Sequence, residues 1–542
     1  MVVTQSSPQV RRWWALGALV AGVLVIGFDL TILNVALPTM AREIGADTGE
    51  LQWIVDSYAV VFAACMLPAG LLGDRYGRRR MLAVGLVVFL GGSVVGVFAE
   101  GPGAVIAARA VMGLGGAFIM PLALSVIPGM FDGEERTKAV GAVTAAMAVG
   151  MPLGPLVGGW LLDNFWWGSV FVLNVPLVAV ALVACLVLLP ETRDPAAPRV
   201  DPLSALLTVV GLGALVFGVI EAPAEGWGDP LIVGAMAAGV ALIGVLVLRE
   251  RRVERPMLDL ALLGNRQFRW NAIVAVLATF VMMGLMFVLP QYLQAVLGND
   301  AFGTGLRLMP LMGGLLVAAR ASAPLMKLVG QRVVVGGGMA VFAFALILGS
   351  GTQAGDGYGT TALWLSITGF GLGFAMVPTM DAALGALPKD RAGSGTGLLT
   401  TLRQVGGAIG VALLGSLLNS VYTDRLDTGR LPEGVADVAR DSVVAAHAVA
   451  DRLGNAALAS SADSAYVHGM ALVLLVCGVA AAVTALAAAS VLPGVAAEEG
   501  AEGTRKAEDA GGTRKAEDAG DTRHARGPRK ADVARPADHA RE

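Results

Sequence analysis

The chain is a succession of apolar runs, each about as long as a bilayer is thick. A hydrocarbon core of ~30 Å takes roughly 20 apolar residues of helix. On that ruler fourteen segments qualify: 13–38, 53–72, 81–99, 103–127, 138–162, 168–189, 203–221, 230–248, 270–296, 304–326, 333–351, 362–387, 394–421 and 466–492. The expected fold is therefore an all-α polytopic membrane protein. Composition agrees: 15% of the 542 residues are charged and 56% are hydrophobic, against about 25% charged in soluble domains. A net charge of −3 gives no reason to expect a nucleic-acid partner. The first run follows Arg11 and Arg12 but is too long for a signal-peptide core, and it carries Asp29, so it reads as a retained span. Cys65, Cys185 and Cys477 lie singly inside apolar runs, which suits packed thiols and neither disulfides nor metal ligands.

Between the second and third runs lies a short basic turn, Gly70 to Arg80, containing Gly73, Asp74, Arg75, Gly77 and Arg78. Short loops rich in Lys and Arg stay on the cytoplasmic side. With the N-terminus inside, the cytoplasmic loops collect Arg78, Arg79, Arg80, Arg136, Arg193, Arg199, Arg249, Arg251, Arg252, Arg255, Arg266, Arg269, Lys389 and Arg391. The short outer turns hold only Arg42 and Arg307. Both termini are accordingly expected in the cytoplasm, in a multi-pass protein of the cell membrane.

A weak internal repeat suggests two related halves. Gly113, Gly115 and Gly116, then Pro121, a loop with Arg136 and a Gly-rich helix are matched by Gly369, Gly371 and Gly373, then Pro378, a loop with Arg391 and another Gly-rich helix. Repeats in the same orientation fit two six-helix bundles related about the membrane normal. The expected division is 1–189, a linker with two extra helices over 190–265, 266–492 with a long outer loop at 423–465, and a tail at 493–542. The tail carries a perfect tandem, residues 503–511 repeated at 512–520, and almost no large apolar residues, so it is expected to be disordered.

Charges inside apolar runs are costly, about 2.5–3.5 kcal/mol for an Asp or Arg at a helix centre, and they face a bundle interior or a cavity. Asp29 is the first such group; it reads either as a proton- or substrate-coupling acid or as a hydrogen-bonded structural acid. Asp56, near the outer end of the second helix, is a candidate substrate-binding acid or an interface acid, and Asp381, the one acid well inside the C-terminal half, is a candidate proton-coupling acid or an interfacial one. Arg109 in the fourth span needs an acid or carbonyl partner, Arg403 is its candidate counterpart, and Arg320 reads as snorkelling to the cytoplasmic face. The run from Gly150 to Gly159 spaces Gly150, Gly154 and Gly158 by four, with Pro155 among them, which favours close helix contact. Met286, Phe287 and Tyr292 belong to a Met- and aromatic-rich ninth span that suits an adaptable apolar substrate surface, as does Tyr58 in the second. His447 and His468 have no evident partners, and no phosphate-binding Gly-x-x-x-x-Gly-Lys-Ser/Thr loop occurs. An enzyme is not expected, nor a cofactor or metal.

Several ordered motifs resemble one family. Asp29 to Pro38 (DLTILNVALP), Trp53 to Asp56 with Tyr58, Arg109 with Gly113 and Gly115, Gly150 to Gly159 (GMPLGPLVGG), Asn174-Val175-Pro176, Gln291 to Gln294 and Arg403 to Gly407 (RQVGG) follow one another over about 13–492. Together they are similar to the fourteen-helix drug:proton antiporters of the major facilitator superfamily, the QacA and EmrB type. The resemblance implies that Arg109 controls the proton-carrying acid and that the Gly150 run belongs to antiport. In the Gly73–Arg78 turn, Asp74 can cap the third helix or pair with a cation from the opposite half, and making or breaking such contacts would favour one conformation or the other. The resemblance departs at Thr400 and Thr401, where some multidrug relatives carry acids. The implied activity is secondary active export of hydrophobic or cationic drugs or antibiotics by alternating access. Drugs, protons and lipid are the partners; a narrow exporter of one endogenous compound is the alternative, and a non-transporting sensor the less favoured one. One proton moved down about 100 mV gains about 2.3 kcal/mol and one pH unit adds about 1.36 kcal/mol. Those sustain a gradient of roughly 500-fold for a neutral drug.

Overall fold

The computed structural model describes residues 8–127, 130–131, 133–193, 201–253, 256, 260–387, 392–429 and 431–492. Sixteen α-helices form among them: α1 (Pro8–Glu43), α2 (Thr48–Tyr76), α3 (Arg78–Val97), α4 (Pro102–Val126), α5 (Gly133–Asn164), α6 (Ser169–Leu188), α7 (Pro202–Glu225), α8 (Pro230–Glu250), α9 (Arg266–Gln291), α10 (Ala301–Arg307), α11 (Met309–Gly349), α12 (Tyr358–Gly385), α13 (Ala392–Arg425), α14 (Glu433–Asp441), α15 (Val443–Leu453) and α16 (Ala456–Val491). A π-turn, Tyr292–Val296, extends α9. The tail expected to be disordered lies outside the described residues.

Every expected apolar run falls on a helix. Among the described residues twelve helical segments are long and apolar enough to cross a bilayer, thirteen if α2, bent by 47°, is taken as one span. That is fewer than the fourteen expected. The run 138–162 lies on α5, many of whose side chains are outside the described residues. The run pair 304–326 and 333–351 is divided differently from expectation. A short α10 precedes α11, and α11 breaks at Gly330, where φ is 77°. Only glycine takes that left-handed conformation without strain. Beside the break, Gln331 Nε2 donates to Asn271 Oδ1 at 2.6 Å, so the amide that begins the second half of α11 is tied to α9.

The helices pack in two groups. In the first, α1 lies against α5 and α6, α2 against α4, and α3 against α4 and α6. In the second, α9 lies against α12 and α13, and α11 against α12 and α16. Helices α7 and α8 pair with each other, and α7 lies along both α2 and α13. Two hydrogen bonds hold it there: Trp53 Nε1 donates to Glu221 Oε1 at 3.1 Å, and Ser416 Oγ donates to the Val219 carbonyl at 2.7 Å.

The hydrogen bonds that join the two groups lie at the end of the bundle away from the Gly73–Arg78 turn. There Gln294 Nε2 donates to the Val35 carbonyl at 2.8 Å, and Asp163 accepts from the Ala301 and Phe302 amides at 3.1 and 2.9 Å. Thr48 Oγ1 donates to the Asp441 carbonyl at 2.7 Å, which ties α2 to the loop helices. The loop at 423–465 holds two helices, α14 and α15, parted at Ser442, which is extended (φ −166°) and whose hydroxyl caps α15 through the Ala445 amide. His447, expected to lack a partner, pairs with Asp463 at 2.8 Å.

Candidate functional site

Asp29 lies in the middle of α1 and is 2% exposed. One carboxylate oxygen accepts from Arg109 Nη1, in a close ion pair, and the other from Asn174 Nδ2 at 3.2 Å. Arg109, on α4 and also 2% exposed, donates through Nε to the Ile54 carbonyl at 3.2 Å. Its guanidinium carbon stands 4.3 Å from the centre of the Tyr58 ring, which in turn stacks on Phe62. A cation over an aromatic face is worth up to about 2 kcal/mol when desolvated. Helices α1, α2, α4 and α6 thus converge on one charge pair, satisfied on both sides. A buried pair of this kind adds little net stability, but removing one member strands the other charge at a cost of about 3–5 kcal/mol.

Tight backbone approach positions α1. A methyl group at Gly154 would overlap Thr31 Oγ1 and Ile32, one at Gly158 would strike Ile32, and one at Gly150 would meet the α1 backbone at Gly27. The small-residue face thus makes the α1–α5 contact that its spacing predicts.

Arg403 occupies the second group differently. From α13, Nε donates to Thr279 Oγ1 on α9 at 3.1 Å, and Nη1 and Nη2 point to the sulfurs of Met380 and Met376 on α12 at 3.2 and 4.0 Å. It has no ion pair among the described residues, so it does not repeat the Arg109 arrangement. Asp381 follows Met380 but is exposed and is not brought to Arg403.

The remaining expected residues are dispersed. Asp56 is fully buried and neither of its carboxyl oxygens has a hydrogen-bond partner among the described residues. Its neighbours one turn away on α2 are Gln52, which abuts Gly415 of α13, and Val60, which clusters with Ala408 and Ala412, so Asp56 faces the α2–α13 seam. Met286, Phe287 and Tyr292 are 1%, 0% and 0% exposed and belong to the packed core, whereas Phe280 and Met283 on the same helix are half-buried. In the basic turn Asp74 does not cap α3. It pairs with Arg78 at 2.7 Å, while Arg78 Nη1 donates to the Ser125 carbonyl at 2.9 Å. Gly77, at φ 113°, makes the corner. Arg75 is half-buried, and Gly73 abuts Leu122 of α4. Glu191, past α6, accepts from the Arg79 amide at 3.2 Å and lies 3.7 and 3.5 Å from the Arg79 and Arg80 side chains. Arg320 is exposed. Sequence reasoning missed Asn174 as a ligand of Asp29, although an amide in an apolar span beside Pro176 is a signal. It also missed Asp163 and Glu191.

A polytopic bundle of helices in two packed groups, with a satisfied charge pair inside one of them, is the architecture of a membrane transporter. Residues 19–411 match the Major Facilitator Superfamily, and the chain belongs to it. It is 32% identical to the tetracenomycin C resistance and export protein of Streptomyces glaucescens over 86% of this chain and 89% of that one. With the puromycin resistance protein of Streptomyces alboniger it shares 34% over 79% of this chain and 86% of the relative. With the multidrug efflux pump LfrA of Mycolicibacterium smegmatis it shares 33%, over 84% and 90%. The fold resembles that of a bacterial homologue of the human lysosomal transporter Spinster, solved inward-facing and unoccupied, with a TM-score of 0.66 at 17% identity over 89% of this chain and 98% of that one.

Proposed function

We propose that the protein is a proton-coupled exporter of hydrophobic or cationic drugs or antibiotics, of the fourteen-helix drug:proton antiporter type, with α5 as the span that completes the count. The observation that carries this is the Asp29–Arg109–Asn174 cluster, a buried acid whose charge is held by a partner on another helix. The relatives named above, whose printed descriptions are resistance, export and efflux, support the drug-export reading. Helices α1–α6 form one half, α9–α13 with α16 the other, and α7–α8 an insertion. Lys and Arg crowd the loops at the end bearing Arg78, which supports a cytoplasmic position for that end and for both termini, in the cell membrane. On this orientation the bonds between Gln294 and Val35, Asp163 and Ala301, and Thr48 and Asp441 close the outer side, and the state is inward-facing.

In the cycle, a drug enters from the cytoplasm or inner leaflet, Asp29 gives up its proton on that side, and the halves rock. A proton from outside then discharges Asp29, loosens its hold on Arg109 and favours the return. Asp381 and Arg403 in the second half, and the Gly73–Arg78 turn and the Gly150, Gly154, Pro155 and Gly158 face, serve the same motion. Tyr58 acts by holding Arg109. Met286, Phe287 and Tyr292 could meet a substrate only in a conformation that uncovers them.

The test is expression in a host stripped of its own efflux pumps. Cells carrying the wild type are expected to tolerate and exclude a panel of unrelated antibiotics until a protonophore is added, whereas Asp29→Asn cells do neither. Exclusion that survives the protonophore, or that Asp29→Asn retains in full, would overturn proton coupling through this acid.

A further inference from the structure

The charge left uncompensated in the second half points to the chemistry of the substrate. Arg403 can donate five hydrogen bonds. It finds one good acceptor, Thr279 Oγ1, and two thioether sulfurs, which accept weakly. Thr279 has already given its own hydroxyl proton to the Ala275 carbonyl at 2.8 Å, so it meets Arg403 as an acceptor. Two N–H groups are left over. Among the described residues Arg403 forms no ion pair; its side-chain contacts are with Thr279, Met380 and Met376. Asp381, the acid nearest in sequence to its Met380 contact, is exposed and makes no ion pair among the described residues. Along α13 itself there is no acid between Arg403 and Asp424.

The contrast with the first half is sharp. Arg109 has a carboxylate, a carbonyl and an aromatic face, and its charge is cancelled in place. Arg403 has no such acid or carbonyl partner among the described residues. A cation inside a membrane bundle normally pairs with an acid or with backbone carbonyls, and a guanidinium is the donor best suited to a planar oxyanion. Around Arg403 are soft, half-buried groups: Met376 and Met380 of α12 touch it, and Met283 of α9 packs on Gly407, one turn along α13 from Arg403. Thioethers pack against aromatic rings and adapt to their shape.

We propose that Arg403 is the substrate's counter-charge, and that the exported compound is a planar aromatic anion, a phenolate, carboxylate or sulfonate, held by Arg403 between Met376, Met380 and Met283. This rests on the export reading above and narrows it, for it replaces lipophilic cations with anions as the favoured class. It also suits the energetics, because a membrane potential negative inside drives a monoanion outward as it drives the proton inward.

The test uses the full-length chain in nanodiscs of phosphatidylcholine, so that no anionic lipid competes. Binding of anthraquinone-2-sulfonate and of proflavine, planar three-ring probes of opposite charge, is measured by equilibrium dialysis. The sulfonate is expected to bind at least tenfold more tightly. Arg403→Gln loses that factor for the sulfonate without weakening proflavine, and Arg403→Lys keeps part of it, which separates lost charge from lost folding. A wild type that prefers proflavine, binds both alike or binds no sulfonate overturns the proposal, and so does an Arg403→Gln protein that binds the sulfonate normally. Proton release from energised vesicles on adding proflavine tells the two failures apart: if it occurs while the sulfonate is ignored, export stands and the anion assignment falls. If no compound that the cells exclude releases protons either, export falls as well.

Discussion

Arg109 has more to lose than Asp29 has. Removing the guanidinium leaves a carboxylate 2% exposed with the Asn174 amide as its remaining partner among the described residues, at a cost of about 3–5 kcal/mol. Asp29→Asn also strands a charge, but Arg109 retains the Ile54 carbonyl and the Tyr58 ring. Arg109→Gln is therefore expected to lower the thermal unfolding temperature more than Asp29→Asn. The double variant should recover part of the loss, a coupling that a double-mutant cycle reads directly. Additive losses would mean that the pair does not interact. Much at this scale was legible in the sequence, because Asp29, Arg109 and Arg403 are charges inside apolar runs and such positions are rarely tolerated without use. Their partners were not legible. Arg109 meets Asp29 across 80 residues of chain and Arg403 meets sulfurs instead of an acid, and only tertiary packing decides between those outcomes.

At the scale of the helix, the α1–α5 contact depends on having no side chain at Gly154. Gly154→Leu is expected to force α5 away from α1 and abolish export, with Gly154→Ala milder because one methyl group asks for a smaller shift; resistance assays on both variants check this. The loop helices carry a pH dependence. The hydrogen bond to Asp463 raises the His447 pKa above its ordinary 6.5, against burial and with help from Asp451. The bond's contribution is fully present below that ordinary value and is lost as pH rises through the higher folded value. Hydrogen exchange of α15, corrected for intrinsic rates, is expected to be more protected at pH 6 than at pH 9, and His447→Ala should remove the difference. Helix existence could be read from the length of each apolar run, and the Gly150 face from its spacing of four. The break at Ser442 and the His447 pair were missed, because a polar loop has no strong period and its two helices are held by contacts with α1, α13 and α16.

For the whole molecule, two groups of helices are joined at one end and α7 is wedged beside the seam between α2 and α13. The end at which hydrogen bonds join the groups could not be read from the internal repeat, since those bonds pair residues 259 and 138 positions apart. Gln52 lies against Gly415 across that seam. In a background lacking Cys65, Cys185 and Cys477, a disulfide between Gln52→Cys and Gly415→Cys is expected to arrest export, and reduction to restore it. Export that continues with the bridge formed would show that the seam does not open. The account turns on one acid exchanging a proton for a drug. Its most direct test is proton release from inverted vesicles that hold the protein, energised and reported by a pH-sensitive dye. Adding an antibiotic that the cells exclude should release protons with the wild type and release none with Asp29→Asn reconstituted at the same level. Release that is equal in the two proteins, or absent from folded wild-type protein with every excluded compound, would contradict it.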